Sequence, residues 1–330
     1  MTHYLRHLHH IPVPKVPTNS YLRSVRLLSK AYIKIICYLC ISNYYNIMAM
    51  KRGLVLEGGA LRGLFSAGVI DVMMENGIDY EGVIGVSAGS NFGCNYKSRQ
   101  PGRVIRYNVR FANDSRYMGW RSLLTTGNLV GAEFAYHYMP LKLDVFDIAT
   151  FESDPMEFYL VCTDCLTGEP VYYRMDKVNY ESLEWLRASA SMPLVTRPVK
   201  VDGSVLLDGG ISDSIPLKHF QSMGFDRNAV VLTRPRYYRK EPTKLWPYRL
   251  LMRRYPAITQ AMARRHEMYN SQLDYVECEE KAGRIFVIAP DKELPIGRVE
   301  MNIEKMNAVY NIGRETATAL LPRLREFLQG

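Results

Sequence analysis

The 330-residue chain carries 42 Lys and Arg against 33 Asp and Glu, a formal net charge of +9, with 47% hydrophobic and 23% charged residues. These proportions belong to a folded globular chain and exclude a disordered, collagenous or low-complexity one. The charge is uneven: residues 1–50 hold six basic residues and no acid, so residues 51–330 are nearly balanced, with 36 basic against 33 acidic groups.

In chain order, the first segment contains His3, His7, His9 and His10, then Pro12, Pro14 and Pro17, and then an uncharged apolar run from Ile35 to Ile41. A spanning helix needs about 20 mainly apolar residues, and Lys34, Ser42, Asn43 and Asn46 interrupt any longer window. No small-x-small cleavage site follows, which argues against a signal peptide. Residues 1–50 therefore read as a basic leader, poorly ordered or upstream of a start at Met48 or Met50, with a weak membrane anchor as the alternative. Six cysteines do not make a disulfide framework. The C-x-x-C pairs Cys37/Cys40 and Cys162/Cys165 invite a zinc reading. The first pair sits in the apolar leader, however, and the second lies at a strand end, where residues three apart point to opposite faces. No metal or cofactor is expected, and a cytoplasmic setting, or one peripheral to a membrane, fits best.

From Lys51 the pattern becomes regular. Gly53-Leu54-Val55-Leu56 suits a buried strand, and the loop Glu57–Gly63 leads into a helix with Leu64, Phe65, Val69, Ile70 and Met73 at helical spacing. Asn76-Gly77 ends that helix. Gly82–Val86 is a second strand, followed by Ser87-Ala88-Gly89 and a helix through Tyr96. Further strands are predicted at 157–163, 171–174, 196–201, 204–207, 229–233 and 284–289. Helices are predicted at 102–112, 180–190, 216–223, 257–281 and 302–328. Alternating strands and helices indicate a parallel α/β sheet, and with no linker evident, residues 51–330 read as one domain.

Gly85-Val86-Ser87-Ala88-Gly89 is a G-x-S-x-G pentapeptide between a strand and a helix. A nucleophilic serine on such a tight turn needs small neighbours, and the next helix aims its N-terminal amides at charge developing on the attacked carbonyl. The same residues would also suit a glycine-rich turn with a capping serine. In the loop 58–63, the P-loop pattern fails because Leu64 and Phe65 follow Gly63, and the dinucleotide fingerprint fails at Ala60. What remains is a turn whose amides could receive an oxyanion, with Arg62 nearby. For a base, His137, His219 and His266 have no better context than surface or capping roles. Asp208 directly follows the apolar run Val205-Leu206-Leu207 and precedes Gly209-Gly210, whereas its rival Asp202-Gly203 reads as a hairpin turn.

Taken in order, Gly58-Gly59-Ala60-Leu61-Arg62-Gly63, Gly85-Val86-Ser87-Ala88-Gly89 and Asp208-Gly209-Gly210 resemble the motifs of the patatin-like phospholipases. Ala188-Ser189-Ala190-Ser191-Met192-Pro193 and Leu232-Thr233-Arg234-Pro235 resemble a bacterial branch. The resemblance implies a three-layer α/β/α fold with a mostly parallel central sheet, and a Ser–Asp dyad. Carried over, it makes Ser87 the nucleophile and Asp208 the base, with an oxyanion hole at Gly58, Gly59 and Ala60 supported by Arg62. Gly63, Gly85, Gly89 and Gly209 are then motif glycines. Ala60 departs from the family, which usually has a third glycine there. The implied activity is hydrolysis of a lipid or fatty-acyl ester. A carboxylate near its reference pKa of about 4 is a weak base, so Asp208 needs a raised pKa or a short hydrogen bond.

Between Arg234 and Arg265 lie ten basic residues with Glu241 as the one acid, interleaved with Tyr237, Tyr238, Trp246, Tyr248 and Tyr255. Cations with amphipathic aromatics suit an anionic membrane surface; the competing reading is a solvated face with aromatics packed inward. No nucleic-acid motif accompanies the charge, so no nucleic-acid partner is expected. A non-catalytic membrane-surface or interaction module that keeps the fold is the alternative to a hydrolase.

Overall fold

Residues 53–56 and 82–86 are buried throughout, as strands covered on both faces by helices must be. They form β1 (Arg52–Leu56) and β2 (Gly82–Val86) of an eight-stranded sheet among the described residues of the computed structural model, which are 50–119, 122–123, 126–297 and 299–329. The expected leader and the Cys37/Cys40 pair lie outside the described residues, apart from Met50.

The remaining strands are β3 (Glu157–Asp164), β4 (Pro170–Arg174), β5 (Val199–Val201), β6 (Ser204–Asp208), β7 (Arg227–Val231) and β8 (Ile285–Ile288). The order is β5-β6-β3-β2-β1-β7-β8, with β4 also against β3. The β3-β2-β1-β7-β8 core is parallel, and β4, β5 and β6 join antiparallel. Alternation along β1 separates two cores. Leu54 and Leu56 pack with Phe65 and Ile70 of α1 (Gly63–Glu75) and with Met306 and Val309 of α10 (Ile303–Gln329). Val55 packs with Phe220 of α7 (Leu217–Ser222) and with Tyr269, Leu273 and Val276 of α9 (Pro256–Lys281). Helices on both faces of a mostly parallel sheet make the expected three-layer α/β/α fold. Also present are α2 (Ala88–Lys97), α3 (Arg103–Phe111), α4 (Glu133–Leu143), α5 (Ile148–Ser153), α6 (Tyr180–Ser189) and α8 (Trp246–Leu251).

Five segments depart from expectation. The strand predicted at 196–201 narrows to Val199–Val201, because the preceding segment turns, with Leu194 at φ +76° and Pro198 unable to donate to a ladder. The strand predicted at 229–233 runs instead from Arg227 to Val231, since the Glu57 carboxylate accepts the Thr233 amide at 2.6 Å and takes it out of the ladder. Helices α4, α5 and α8 were not predicted. In α4 the bonding is π-helical, with Pro140 inside, and i→i+5 bonding moves the apolar period off 3.6. The Asp202-Gly203 hairpin turn is as expected, with both residues at positive φ between β5 and β6.

Asp71, fully buried on α1, accepts the Gly102 amide at 2.8 Å and the Tyr310 hydroxyl of α10 at 2.7 Å. Burial raises its pKa from 3.8 to about 6, against the pull of those two hydrogen bonds. A carboxyl with a raised folded-state pKa stabilises the fold below its unfolded pKa and loses that contribution as pH rises through the folded one. The loss therefore falls between pH 3.8 and about 6 and is on the order of 3 kcal/mol. Urea denaturation of wild type and Asp71→Asn at several pH values should show the variant gaining relative stability across that window. A difference independent of pH would reject the assignment.

Candidate active site

The three sequence motifs converge at one end of the sheet because of how strands share the edge of β3. Strand β2 runs parallel to β3 and ends with Val86 opposite Val161. On the same edge β6 runs the other way and ends with Asp208 opposite Cys162. The two chains therefore approach head-on and must both turn away, Ser87 into α2 and Asp208 into the 3-10 turn Gly209–Ile211. Beside them, β1 ends at Leu56 opposite Gly85, and the loop Glu57–Arg62 follows. Loops at the carboxyl ends of parallel strands are where α/β folds place ligands.

Ser87 has φ +56° and ψ −121°, a conformation that costs ~1–3 kcal/mol and must be held by its surroundings. Its amide donates to Ser189 Oγ at 3.0 Å, and its carbonyl accepts the amides of Ser90 and Asn91. Ser90 Oγ lies 2.7 Å from Ser87 O and 2.9 Å from Ser189 Oγ, whose own hydroxyl donates to Val161 O. The side chain of Ser87 makes no capping hydrogen bond, which removes the capping-serine reading. Gly89 is required by close approach, since a Cβ there would meet Leu56 O at 2.3 Å.

The glycine-rich loop lies directly on the serine. A Cβ on Gly58 would stand 2.9 Å from Ser87 Cβ and 2.8 Å from Val86 O. Ala60, the residue that departs from the motif, has φ +49° and so adopts the left-handed backbone that a glycine would take more easily. Gly59 packs on Thr233, Gly63 begins α1, and Arg62 reaches the cavity. The loop is anchored by Glu57, 2% exposed, which accepts from the Thr233 amide and from Tyr269 OH at 2.7 Å.

Asp208 is 1% exposed. Its Oδ1 accepts the Gly210 amide at 2.7 Å, its amide donates to Ser191 O, and its carbonyl accepts from Thr163 Oγ1. The segment Ala188–Pro193 thus touches both motifs, Ser189 through its side chain at Ser87 and Ser191 through its carbonyl at Asp208.

Ser87, Asp208, Gly58, Gly59, Ala60 and Arg62 all line one cavity of about 420 Å³. Its lining combines apolar side chains, among them Phe92, Tyr107, Met118, Leu129, Met139 and Leu186, with the basic residues Arg62, Arg103, Arg187, Arg234, Lys240 and Arg265. None of the three histidines among the described residues lines it. His137 is buried with Nε2 2.9 Å from Glu184 Oε1 and its ring stacked on Tyr180, His219 stacks on Tyr172, and His266 is half-buried beside Glu267. Burial alone would raise Glu184, but hydrogen bonds from Arg187 and His137 hold it below the usual carboxylate value. No group of three or more metal-ligating side chains occurs among the described residues. Cys162, on β3, and Cys165, in the turn that follows it, pack into different apolar clusters.

The basic stretch 234–265 divides in two. Arg234 pairs with Glu293, Arg236 with Glu280 and Arg239 with Asp274, acids that come from other parts of the chain. Lys244, Arg249, Arg253 and Arg254 are exposed and without ion pairs among the described residues, around an α8 that exposes Trp246, Leu250 and Leu251. Tyr237 is exposed as well, while Tyr248 is buried. Among the described residues no helix is long and apolar enough to cross a membrane.

Ser87 thus stands on a strand-turn-helix at positive φ, with Gly58 of the glycine-rich loop packed against it. Among known protein families, the model described as patatin-like phospholipase matches residues 54–220, and one described as a domain of unknown function, DUF6363, matches residues 255–329. The chain belongs to the patatin-like phospholipase family, which makes lipid hydrolysis the chemistry to be accounted for. It is 28% identical over 272 residues to the uncharacterised protein YjjU of Escherichia coli, covering 80% of this chain and 75% of that protein. It is 25% identical over 293 residues to lysophospholipase nte1 of Aspergillus oryzae, covering 83% of this chain but 18% of that one. The solved structure of VipD from Legionella pneumophila is similar at a TM-score of 0.40 and 14% identity, over 83% of this chain and 67% of that one.

Sequence reasoning missed Glu57, Ser189, Ser191, Thr233, Arg265 and Tyr269, which carry or anchor the site's loops. The short polar side chains within the apolar pattern at 188–193 were the available signal for two of them.

Proposed function

We propose that this chain is a serine lipid acyl hydrolase of the phospholipase A or esterase type. The observation that carries the reading is the head-on meeting of β2 and β6 on the edge of β3, which brings Ser87 and Asp208 to one cavity beneath the loop 58–62. Ser87 attacks the ester carbonyl and gives its proton to Asp208. The amides around Gly58, Gly59 and Ala60, with Arg62, receive the oxyanion. Collapse of the tetrahedral intermediate expels the alcohol, protonated from Asp208, and water activated by Asp208 then hydrolyses the acyl-enzyme. The apolar residues of the cavity lining support an acyl chain as occupant, and its basic residues, among them Arg234, Lys240 and Arg265, support a polar head. A volume of about 420 Å³ is within the range of small-ligand sites. Together with the lysophospholipase named among the relatives, these features favour a single-chain lysophospholipid over a bulkier ester.

The surface around α8 supports docking on an anionic bilayer. Exposed Trp246, Leu250 and Leu251 would enter the interface, and Arg249, Arg253 and Arg254 would meet acidic head groups. Fatty-acid release from lysophospholipid in neutral vesicles, and in vesicles with added acidic lipid, tests both parts. Release is expected from both, several-fold faster with acidic lipid. The combined variant Trp246→Ala, Arg253→Glu and Arg254→Glu should lose that acceleration while keeping wild-type turnover of a soluble nitrophenyl ester. Turnover of the nitrophenyl ester without release from lysophospholipid would reject the lipid substrate. Equal release from both vesicles would reject the docking surface.

A further inference from the structure

The segment matched as a domain of unknown function does more than place α9 and α10 on opposite faces of the sheet. Its first helix, α9, presents Arg265, Tyr269 and Gln272 at spacings of four and three, one face of a helix. Between them these side chains bond two loops at the end of the sheet, the one after β1 and the one after β6. Arg265 Nε donates to Gly210 O at 2.5 Å, in the turn whose amide is bonded to Asp208 Oδ1. Tyr269 OH donates to Glu57 Oε1 at 2.7 Å, and the other oxygen of Glu57 takes the Thr233 amide. Thr233 Oγ1 donates onward to Gly58 O at 3.1 Å. Gln272 accepts the Ile215 amide at 3.0 Å and donates to Asp213 Oδ1 at 2.5 Å, so it fixes the chain that continues from the Asp-Gly-Gly turn.

We infer that residues 255–329 belong to the catalytic apparatus, and that Arg265, Tyr269 and Gln272 of α9 are positioning residues that hold the oxyanion loop and the Asp208 loop in register with Ser87. The inference rests on the proposed roles of Ser87 and Asp208. Its physical basis is the cost of unsatisfied buried groups. Glu57, Asp213 and Tyr269 are each less than a tenth exposed, so the two carboxylates need buried donors, and α9 supplies one to each. Burial first, and then the adjacent Glu57, keep the Tyr269 hydroxyl far above its ordinary pKa, so it remains a donor at any working pH. A loop released from such an anchor shifts by fractions of an ångström, and displacements of about 1 Å at a reacting centre cost roughly a hundredfold in rate.

The test uses the full chain with Tyr269→Phe, which removes one hydroxyl, and Arg265→Lys, which keeps the charge but not the planar donor geometry. Ser271→Ala is the control, on the exposed side of the same helix, where its hydroxyl bonds Met268 O one turn back. Active sites are counted with a fluorophosphonate, and kcat for a nitrophenyl ester is expressed per labelled site. Tyr269→Phe and Arg265→Lys should each lower kcat per site roughly tenfold to a hundredfold with KM within about twofold, and slow labelling in parallel; Ser271→Ala should match wild type. Glu57→Gln combined with Tyr269→Phe should lose less than the product of the two single losses, because both act through one bond. A merely structural role would reduce the number of labelled sites and leave kcat per site unchanged; that outcome, or a strictly multiplicative double variant, overturns the inference. Absence of labelling in wild type would instead overturn Ser87 as nucleophile, so the two failures are distinguishable.

Discussion

Replacing Ser87 with alanine is expected to remove ester hydrolysis almost entirely, a fall on the order of 10⁴-fold or more, since no other group on the turn can form the acyl-enzyme. The fold should survive. Alanine keeps the Cβ on the same positive-φ backbone, and the hydroxyl takes no part in capping α2. The strain is held by the amide and carbonyl of residue 87, bonded to Ser189 and to the first turn of α2, and these bonds do not involve the side chain. Mass spectrometry after fluorophosphonate treatment should show one adduct on wild type, located at Ser87, and none on the variant. Wild-type turnover by Ser87→Ala would remove the dyad assignment; an unlabelled wild type would favour a non-catalytic module.

Asp208→Asn should lower kcat by about 10²–10⁴ with little change in KM, the range expected for losing a positioned base. The amide side chain has the shape of the carboxylate and can still accept the Gly210 amide at the Oδ1 position, which is 2.7 Å away in the native protein. The loop should therefore keep its course while the proton acceptor is lost. Because serine and base act as a unit, Ser87→Ala with Asp208→Asn should be no slower than Ser87→Ala alone. Activity above a tenth of wild type in Asp208→Asn would show that the base lies elsewhere, and Glu57, the other buried carboxylate lining the cavity, would be examined next.

Much of the layout was legible because its signals are local. The turn Gly85–Gly89 sits between an apolar strand and a helix whose pattern is complete within a few residues, and Asp208 ends a short apolar run before two glycines. The strand predicted at 229–233 was displaced by a long-range partner, the carboxylate of Glu57, which no local pattern displays. Helix α4 was missed because apolar spacing was tested against 3.6 residues per turn and its bonding is π-helical. The basic stretch 234–265 looked uniform in the sequence because the acids Glu293, Glu280 and Asp274, which pair with its first part, follow it in the chain.

The even charge balance of residues 51–330 beside an acid-free first fifty residues, the alternation of strands and helices, and the three glycine-bearing motifs were all determined by the amino-acid sequence alone. Each depends on neighbours within one turn or one strand. Which motifs meet was decided only by the tertiary structure. β6 must run antiparallel on the same edge of β3 that β2 occupies before Asp208 can face the turn of Ser87. Helix α9 must pack on the sheet before Arg265, Tyr269 and Gln272 can satisfy groups on the loops after β1 and β6. Strand pairing and burial join residues far apart in the chain, and a local pattern carries no information about which partner will satisfy a buried polar group.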